Sequence, residues 1–143
     1  MATSFALNGA IFSTVVSRLP DVREGLGIDN GALGLLVLAM AAGSMIGLPL
    51  SGRLTDLIGA ANVVRAGTVM CAVGLVTIAY GAGPAHSAAC TAAALFLFGV
   101  GTGIWDVAHN IVGADIERQS GRILLPQLHG TWSIAYPFPK LRL

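Results

Sequence analysis

Charged residues punctuate this chain, and the runs between them are apolar and long. No Asp, Glu, Lys or Arg occurs between Asp29 and Arg53, and Gly31 to Leu50 makes an uninterrupted 20-residue stretch. At about 1.5 Å per helical residue that stretch measures about 30 Å, the hydrocarbon thickness of a bilayer. Pro49 stands near its end, where a missing helix hydrogen bond costs least. From Ala66 to Trp105 there is again no Asp, Glu, Lys or Arg. Forty such residues are too many for one crossing, and the turn Gly81-Ala82-Gly83-Pro84-Ala85-His86 divides them. The first apolar run, Met1 to Ser17, ends at Arg18-Leu19-Pro20-Asp21-Val22-Arg23-Glu24. It is short for a span, which takes about 17 to 25 residues; either Arg18 lengthens it by snorkelling or the true start lies upstream. A last apolar run opens at Ile123 and stops, after about three turns of helix, at Tyr136-Pro137-Phe138-Pro139-Lys140-Leu141-Arg142-Leu143.

The pattern predicts an all-α, polytopic membrane protein. Transmembrane helices are expected at about 1–17, 31–50, 61–82 and 87–113, with a truncated fifth at 123–135 and an atypical tail at 136–143. A native C-terminus, a truncation and a shifted reading frame are all compatible with that tail.

Composition supports the bilayer. Charged residues make up 10% of the chain and hydrophobic ones 55%, against about 25% charged in soluble domains. The 19 glycines suit close helix packing in lipid, and Gly43 to Gly47 and Gly99, Gly101 and Gly103 read as packing stripes. No P-loop Lys follows them, so a phosphate cradle is excluded. A net charge of +1 does not suit a nucleic-acid binder. Cys71 and Cys90 lie in apolar runs without CxxC or Cys/His spacing, which points to buried thiols rather than zinc or a disulfide. No catalytic dyad, nucleophile elbow or metal cluster is visible, so neither an enzyme nor a cofactor is expected. The N-terminal run has no basic stretch before it and reads as a retained helix, not a cleaved signal. Arg53, Arg65, Arg118 and Arg122 lie in two connections, Arg18 and Arg23 in the other. That bias places the N-terminus and the 51–65 connection in the cytoplasm.

Two groups of residues carry chemistry. Gly52, Arg53, Leu54, Asp56 and Gly59, followed by Arg65, fall between the second and third helices. The glycines allow a tight turn. Asp56 is suited to capping a helix start or pairing with a nearby Arg, a cluster able to latch two helix bundles. A plain structural turn explains the glycines equally well. Asp106, His109 and Asn110 sit at i, i+3 and i+4 on the fourth helix and share a face. An Asp at the bilayer centre costs roughly 2.5–3.5 kcal/mol, so it normally faces a cavity or a partner. Beside a His it is suited to binding and releasing protons, while Asn110 and Asn8 are suited to hydrogen-bonding a hydroxylated solute. If the helix ends near Asp106, these groups lie at the cytoplasmic interface instead. Trp105 and Trp132 are either interfacial anchors or cavity walls, and His86 is a solvated residue of an external turn.

The Gly52–Gly59 stretch resembles the signature of the major facilitator superfamily, G-x-L-x-D-x-x-G after the second helix. Gly52, Leu54, Asp56 and Gly59 match; Leu57, Ala60 and Ala61 stand where basic residues are usual. Asn8-Gly9, Ser17 to Arg23, Gly31 to Gly34, Asp106 to Asn110, Glu117-Arg118 and His129 to Ser133 resemble its fucose-permease-like bacterial inner-membrane branch. That likeness extends to about Ala135. It implies a twelve-helix carrier in two six-helix halves, a secondary transporter and symporter of the inner membrane. Its acidic and polar groups would lie on helices one and four, and its partners would be the bilayer, a small polar solute such as a sugar, and protons. This chain supplies about four helices and the start of a fifth. Alternating access around a midplane site needs both halves, so a missing C-terminal half or self-association is implied. Two other readings stand beside the carrier: a non-transporting fragment of an interrupted gene, and a small dimeric four-helix exporter. The exporter needs a carboxylate in its first span, and this one has none.

Overall fold

The computed structural model describes residues 2–121, 123 and 125–134. The tail expected at 136–143, Ala135 and Arg122 lie outside the described residues. Six helices follow in order: α1 (Ala2–Ser17), α2 (Leu19–Leu26), α3 (Asn30–Ile58), α4 (Ala60–Ala82), α5 (Ala88–Ser120) and α6 (Leu125–Ile134). The described residues contain no strand. The protein is an all-α, polytopic membrane protein.

Local chemistry sets the helix ends. Asp29 caps α3 by accepting from the Ala32 amide at 2.8 Å, and Ser87 caps α5 through the Cys90 amide at 3.2 Å. Gly27 and Gly121 end α2 and α5 in the left-handed region, at φ 64° and 65°. Pro20 falls in the first turn of α2, where its missing N–H is no loss.

Three boundaries differ from expectation. The polar stretch after α1 is itself a short helix, α2. The 51–62 stretch is not a loop: α3 continues to Ile58, and Gly59 alone links it to α4. The fourth expected helix runs on past residue 113 to Ser120. In each case charged residues were read as helix breaks, yet Arg, Glu and Leu are good helix formers, and a helix that leaves the hydrocarbon keeps its backbone bonds in water. Helices α3, α4 and α5 are long and apolar enough to cross a membrane. Helix α1 has 16 residues, about 24 Å of rise, which is short of the hydrocarbon thickness.

Helix α5 is the spine. It runs parallel to α3 and antiparallel to α4, and glycines set both contacts. A methyl group on Gly47 would lie 2.5 Å from the Val100 carbonyl oxygen, and one on Gly103 would lie 2.8 Å from that of Ser44. Gly43 meets the Phe96 carbonyl and Gly99 that of Met40 more closely still. On α4, Gly67, Gly74 and Gly81 recur every seven residues and face Trp105, Phe98 and Thr91. Hydrogen bonds cross the same seam: Ser51 Oγ donates to the Ile104 carbonyl at 2.8 Å in a buried position. Buried Cys71, Leu95, Phe98 and Trp105 fill the core between these helices.

This register fixes depth. Gly43 opposes Phe96, near the middle of the apolar run, and Ser51 opposes Ile104. Asp106 lies ten residues beyond Phe96, about 15 Å along the helix, at the height of Arg53 and Arg65. That places it toward the Arg53–Arg65 end of the bundle rather than at the middle of the apolar runs. Helix α5 does not stop there but continues to Ser120.

Candidate functional site

Three helices each offer a pair of side chains one turn apart to a common cleft. Asn8 and Phe12 come from α1, Ser44 and Leu48 from α3, and Thr102 and Asp106 from α5. A spacing of four keeps each pair on one face. Trp132 of α6 completes the wall, and the cleft measures about 290 Å³. Helix α6 reaches this position because it packs parallel to α1, with the Trp132 backbone closed against Gly9. Glu117 Oε1 accepts from the Leu125 amide at 2.7 Å and so caps the start of α6 from the last turns of α5.

The polar groups in the cleft are unequally satisfied. Trp132 Nε1 donates to Asn8 Oδ1 at 3.1 Å. An indole N–H only donates, so the amide oxygen must face it. Asn8 Nδ2 is buried and makes no hydrogen bond among the described residues. Ser44 Oγ shares its proton between the Gly99 and Met40 carbonyls at 3.2 and 3.3 Å. Thr102 Oγ1 does the same with Gly99 and Phe98 at 2.9 and 3.2 Å. The Asp106 carboxylate is half exposed to the cleft, and His109 Nε2 approaches its Oδ1 to 3.3 Å. That contact is close but not aligned as a hydrogen bond.

His109 stands behind Asp106 rather than in the cleft. Its ring is buried, stacked on Phe5 with centroids 3.8 Å apart, and edge-on to Trp105 at 6.5 Å. Trp105 in turn donates from Nε1 to Ser4 Oγ at 3.1 Å. Asn110 is turned away too: its Nδ2 donates to the Asp106 backbone carbonyl at 2.8 Å, and it does not line the cleft. The shared face expected for Asp106, His109 and Asn110 is therefore split. Positions i+3 and i+4 lie about 100° apart around a helix, so they flank Asp106 on opposite sides. Of the four residues singled out from the sequence, the cleft holds Asn8 and Asp106. Ser44, Thr102 and Phe12 also line it and are not among the residues the sequence singles out as a site.

The glycine-flanked motif lies at the same end. Gly52, Arg53, Leu54 and Asp56 occupy the last two turns of α3, and only Gly59, at φ 80°, is left as a turn. Among the described residues, Asp56 makes no ion pair with Arg53 or Arg65, and Arg65 Nη1 donates to Asn62 Oδ1 at 3.0 Å instead. His86 also differs from expectation: although exposed, its Nδ1 lies 2.8 Å from the Gly25 carbonyl oxygen and its backbone takes φ 42°.

The family model of the Major Facilitator Superfamily matches residues 1–122. The chain belongs to the major facilitator superfamily. The match takes in α1 to α5, and α6 with Trp132 lies beyond it. Relatives of this superfamily chain include an uncharacterized transporter of Sinorhizobium fredii, 34% identical over 94% of the chain. An uncharacterized MFS-type transporter of Yersinia pestis is 33% identical over 92%, and the membrane protein MosC of Rhizobium meliloti is 25% identical over 91%. The alignments cover 34%, 33% and 31% of those proteins, so the chain spans about a third of the length of the relatives it matches. No solved structure matches it.

Proposed function

We propose that this chain forms part of the N-terminal half of a secondary carrier that moves a small polar solute, with sugars among the candidates, across the bacterial inner membrane by alternating access. The cleft between α1, α3, α5 and α6 carries this reading. It gathers Asn8, Ser44, Thr102 and Asp106 beside two aromatic rings, the mixture of apolar wall and few polar groups that solute sites show. Coupling to protons runs through Asp106, whose partly exposed carboxylate faces the cleft with His109 beside it at 3.3 Å. The N-terminus and the Gly59 turn face the cytoplasm, so the cleft opens on the inner half of the bundle.

The test is uptake by a full-length carrier in proteoliposomes: this chain joined to the remainder of the Sinorhizobium relative. An imposed proton gradient and a panel of labelled monosaccharides, amino sugars and polyols supply the readout. Asp106→Asn is expected to abolish gradient-driven uptake while helicity stays unchanged. Uptake with unaltered rate and pH dependence would remove the proton role. A chimera that moves no member of the panel would count against the carrier reading itself.

A further inference from the structure

The cleft leaves two kinds of polar atom to be satisfied, and they ask for opposite partners. Asn8 Nδ2 is a donor in a side chain that is 6% exposed, and no described residue accepts from it. Its orientation is set by Trp132, which occupies the amide oxygen. The Asp106 carboxylate is an acceptor and carries the cleft's only charge among the described lining residues. The hydroxyls of Ser44 and Thr102 have already given their protons to backbone carbonyls.

No basic side chain balances that charge among the described lining residues. Arg53 lines a groove with Ile46, Pro49 and Leu50, outside the cleft. Arg18 lies at the opposite end, paired with Asp21 at 2.9 Å. Of the described titratable groups, only His109 on the same helix approaches Asp106, at 3.3 Å; α1, α3 and α6 bring none to the cleft, and His129 lies across the Phe5 ring. Phe12 and Trp132 stand with centroids 6.1 Å apart and planes tilted by 39°. Two tilted rings beside a carboxylate make a corner that attracts a cation, through the ring faces and the ion pair together. With the carboxylate half exposed and no basic side chain among the described lining residues, the cleft presents a negative charge to an entering solute.

Resting on the carrier reading above, we infer that the cleft takes a small amine-bearing polyol: an ammonium on Asp106 and a hydroxyl or ring oxygen accepting from Asn8 Nδ2. The volume of about 290 Å³ is at the lower edge of ligand pockets, about 300 to 1,000 Å³, and limits the solute to roughly monosaccharide size.

The experiment is equilibrium binding, in lipid nanodiscs, to the full-length carrier made by joining this chain to the remainder of the Sinorhizobium relative, with matched probes: glucosamine against glucose, and ethanolamine against ethylene glycol. The amine of each pair is expected to bind about tenfold tighter, the ratio given by one modest ion pair. Asp106→Asn is expected to bring each pair to parity, and Asn8→Ala to weaken glucosamine without restoring glucose. If glucose binds as well as glucosamine, or Asp106→Asn keeps the amine preference, the inference falls while the polar-solute site stands. If no probe of either kind binds, both fall.

Discussion

A buried amide whose oxygen is held by an indole can offer only its nitrogen. That one hydrogen bond, Trp132 Nε1 to Asn8 Oδ1 at 3.1 Å, decides the polarity of the cleft wall. It also joins residues far apart in the chain. Between membrane helices such bonds average about 0.6 kcal/mol and reach about 1.7. A double-mutant cycle isolates the value. Trp132→Phe keeps an aromatic ring and loses the donor, and Asn8→Ala loses the acceptor. Each single change is expected to lower stability, and the double change to cost about 0.6–1.7 kcal/mol less than the two together, read from unfolding by dodecyl sulfate in mixed micelles with far-ultraviolet dichroism. A coupling of zero would mean that the bond does not position the amide. The same scale separates Asp106 from His109. One faces the cleft, the other is packed between Phe5 and Trp105, and Oδ1 and Nε2 meet at 3.3 Å.

At the scale of helices, glycine position sets which elements touch. Gly99 has the Met40 carbonyl directly over its Cα, whereas a methyl group added to Gly34 on α3 would meet nothing within 4 Å. Gly99→Ala must push α3 and α5 apart, an overpacking cost of about 1–3 kcal/mol. Gly34→Ala is expected to be neutral or to stabilise by about 0.5–1 kcal/mol, since Ala restricts the unfolded chain and fills open space. Thermal melts of the two variants in detergent should therefore move in opposite directions or differ by the first cost alone. A Gly99 variant as stable as the wild type would mean that the seam is not close-packed. The spans of α3 to α5 and the packing role of Gly43, Gly47, Gly99, Gly101 and Gly103 were legible because charge-free length and small-residue spacing are local signals. The ends were not. Arg53 and Asp56 look like a loop by polarity, yet a helix entering water loses nothing by continuing. Height within the bundle was not legible either: only the register of α5 against Ser51 and Gly67 places Asp106 near the Arg53–Arg65 end. Asn8 and Asp106 could be named as site residues because polar groups in apolar runs stand out. Ser44 and Thr102 could not, since hydroxyls bonded to their own helix backbone are common in apolar helices.

For the whole molecule the distribution of ends matters more than any one helix. The first turns of α1 meet the Trp105–His109 end of α5 through Ser4 and Phe5, on the side where Gly59 turns α3 into α4. At the other end the Gly25 carbonyl of α2 meets His86 of the α4–α5 turn. Among the described residues Arg53, Arg65 and Arg118 lie at the first end and Arg18 and Arg23 at the second. The excess of three over two is small, but Arg53 and Arg65 flank the Gly59 turn, each six residues from it, within the stretch over which Lys and Arg bias orientation. The first end is therefore expected in the cytoplasm. Single cysteines test it in a background with Cys71 and Cys90 changed to Ala. Asp56→Cys and Glu24→Cys are both exposed positions. In intact cells an impermeant maleimide is expected to label residue 24 at once and residue 56 only after the membrane is opened. The reverse pattern would invert the bundle and turn the cleft outward. Equal labelling of both positions in intact cells would mean that the chain alone does not choose one orientation, and that the part of the carrier beyond this third of its relatives' length is needed to fix it.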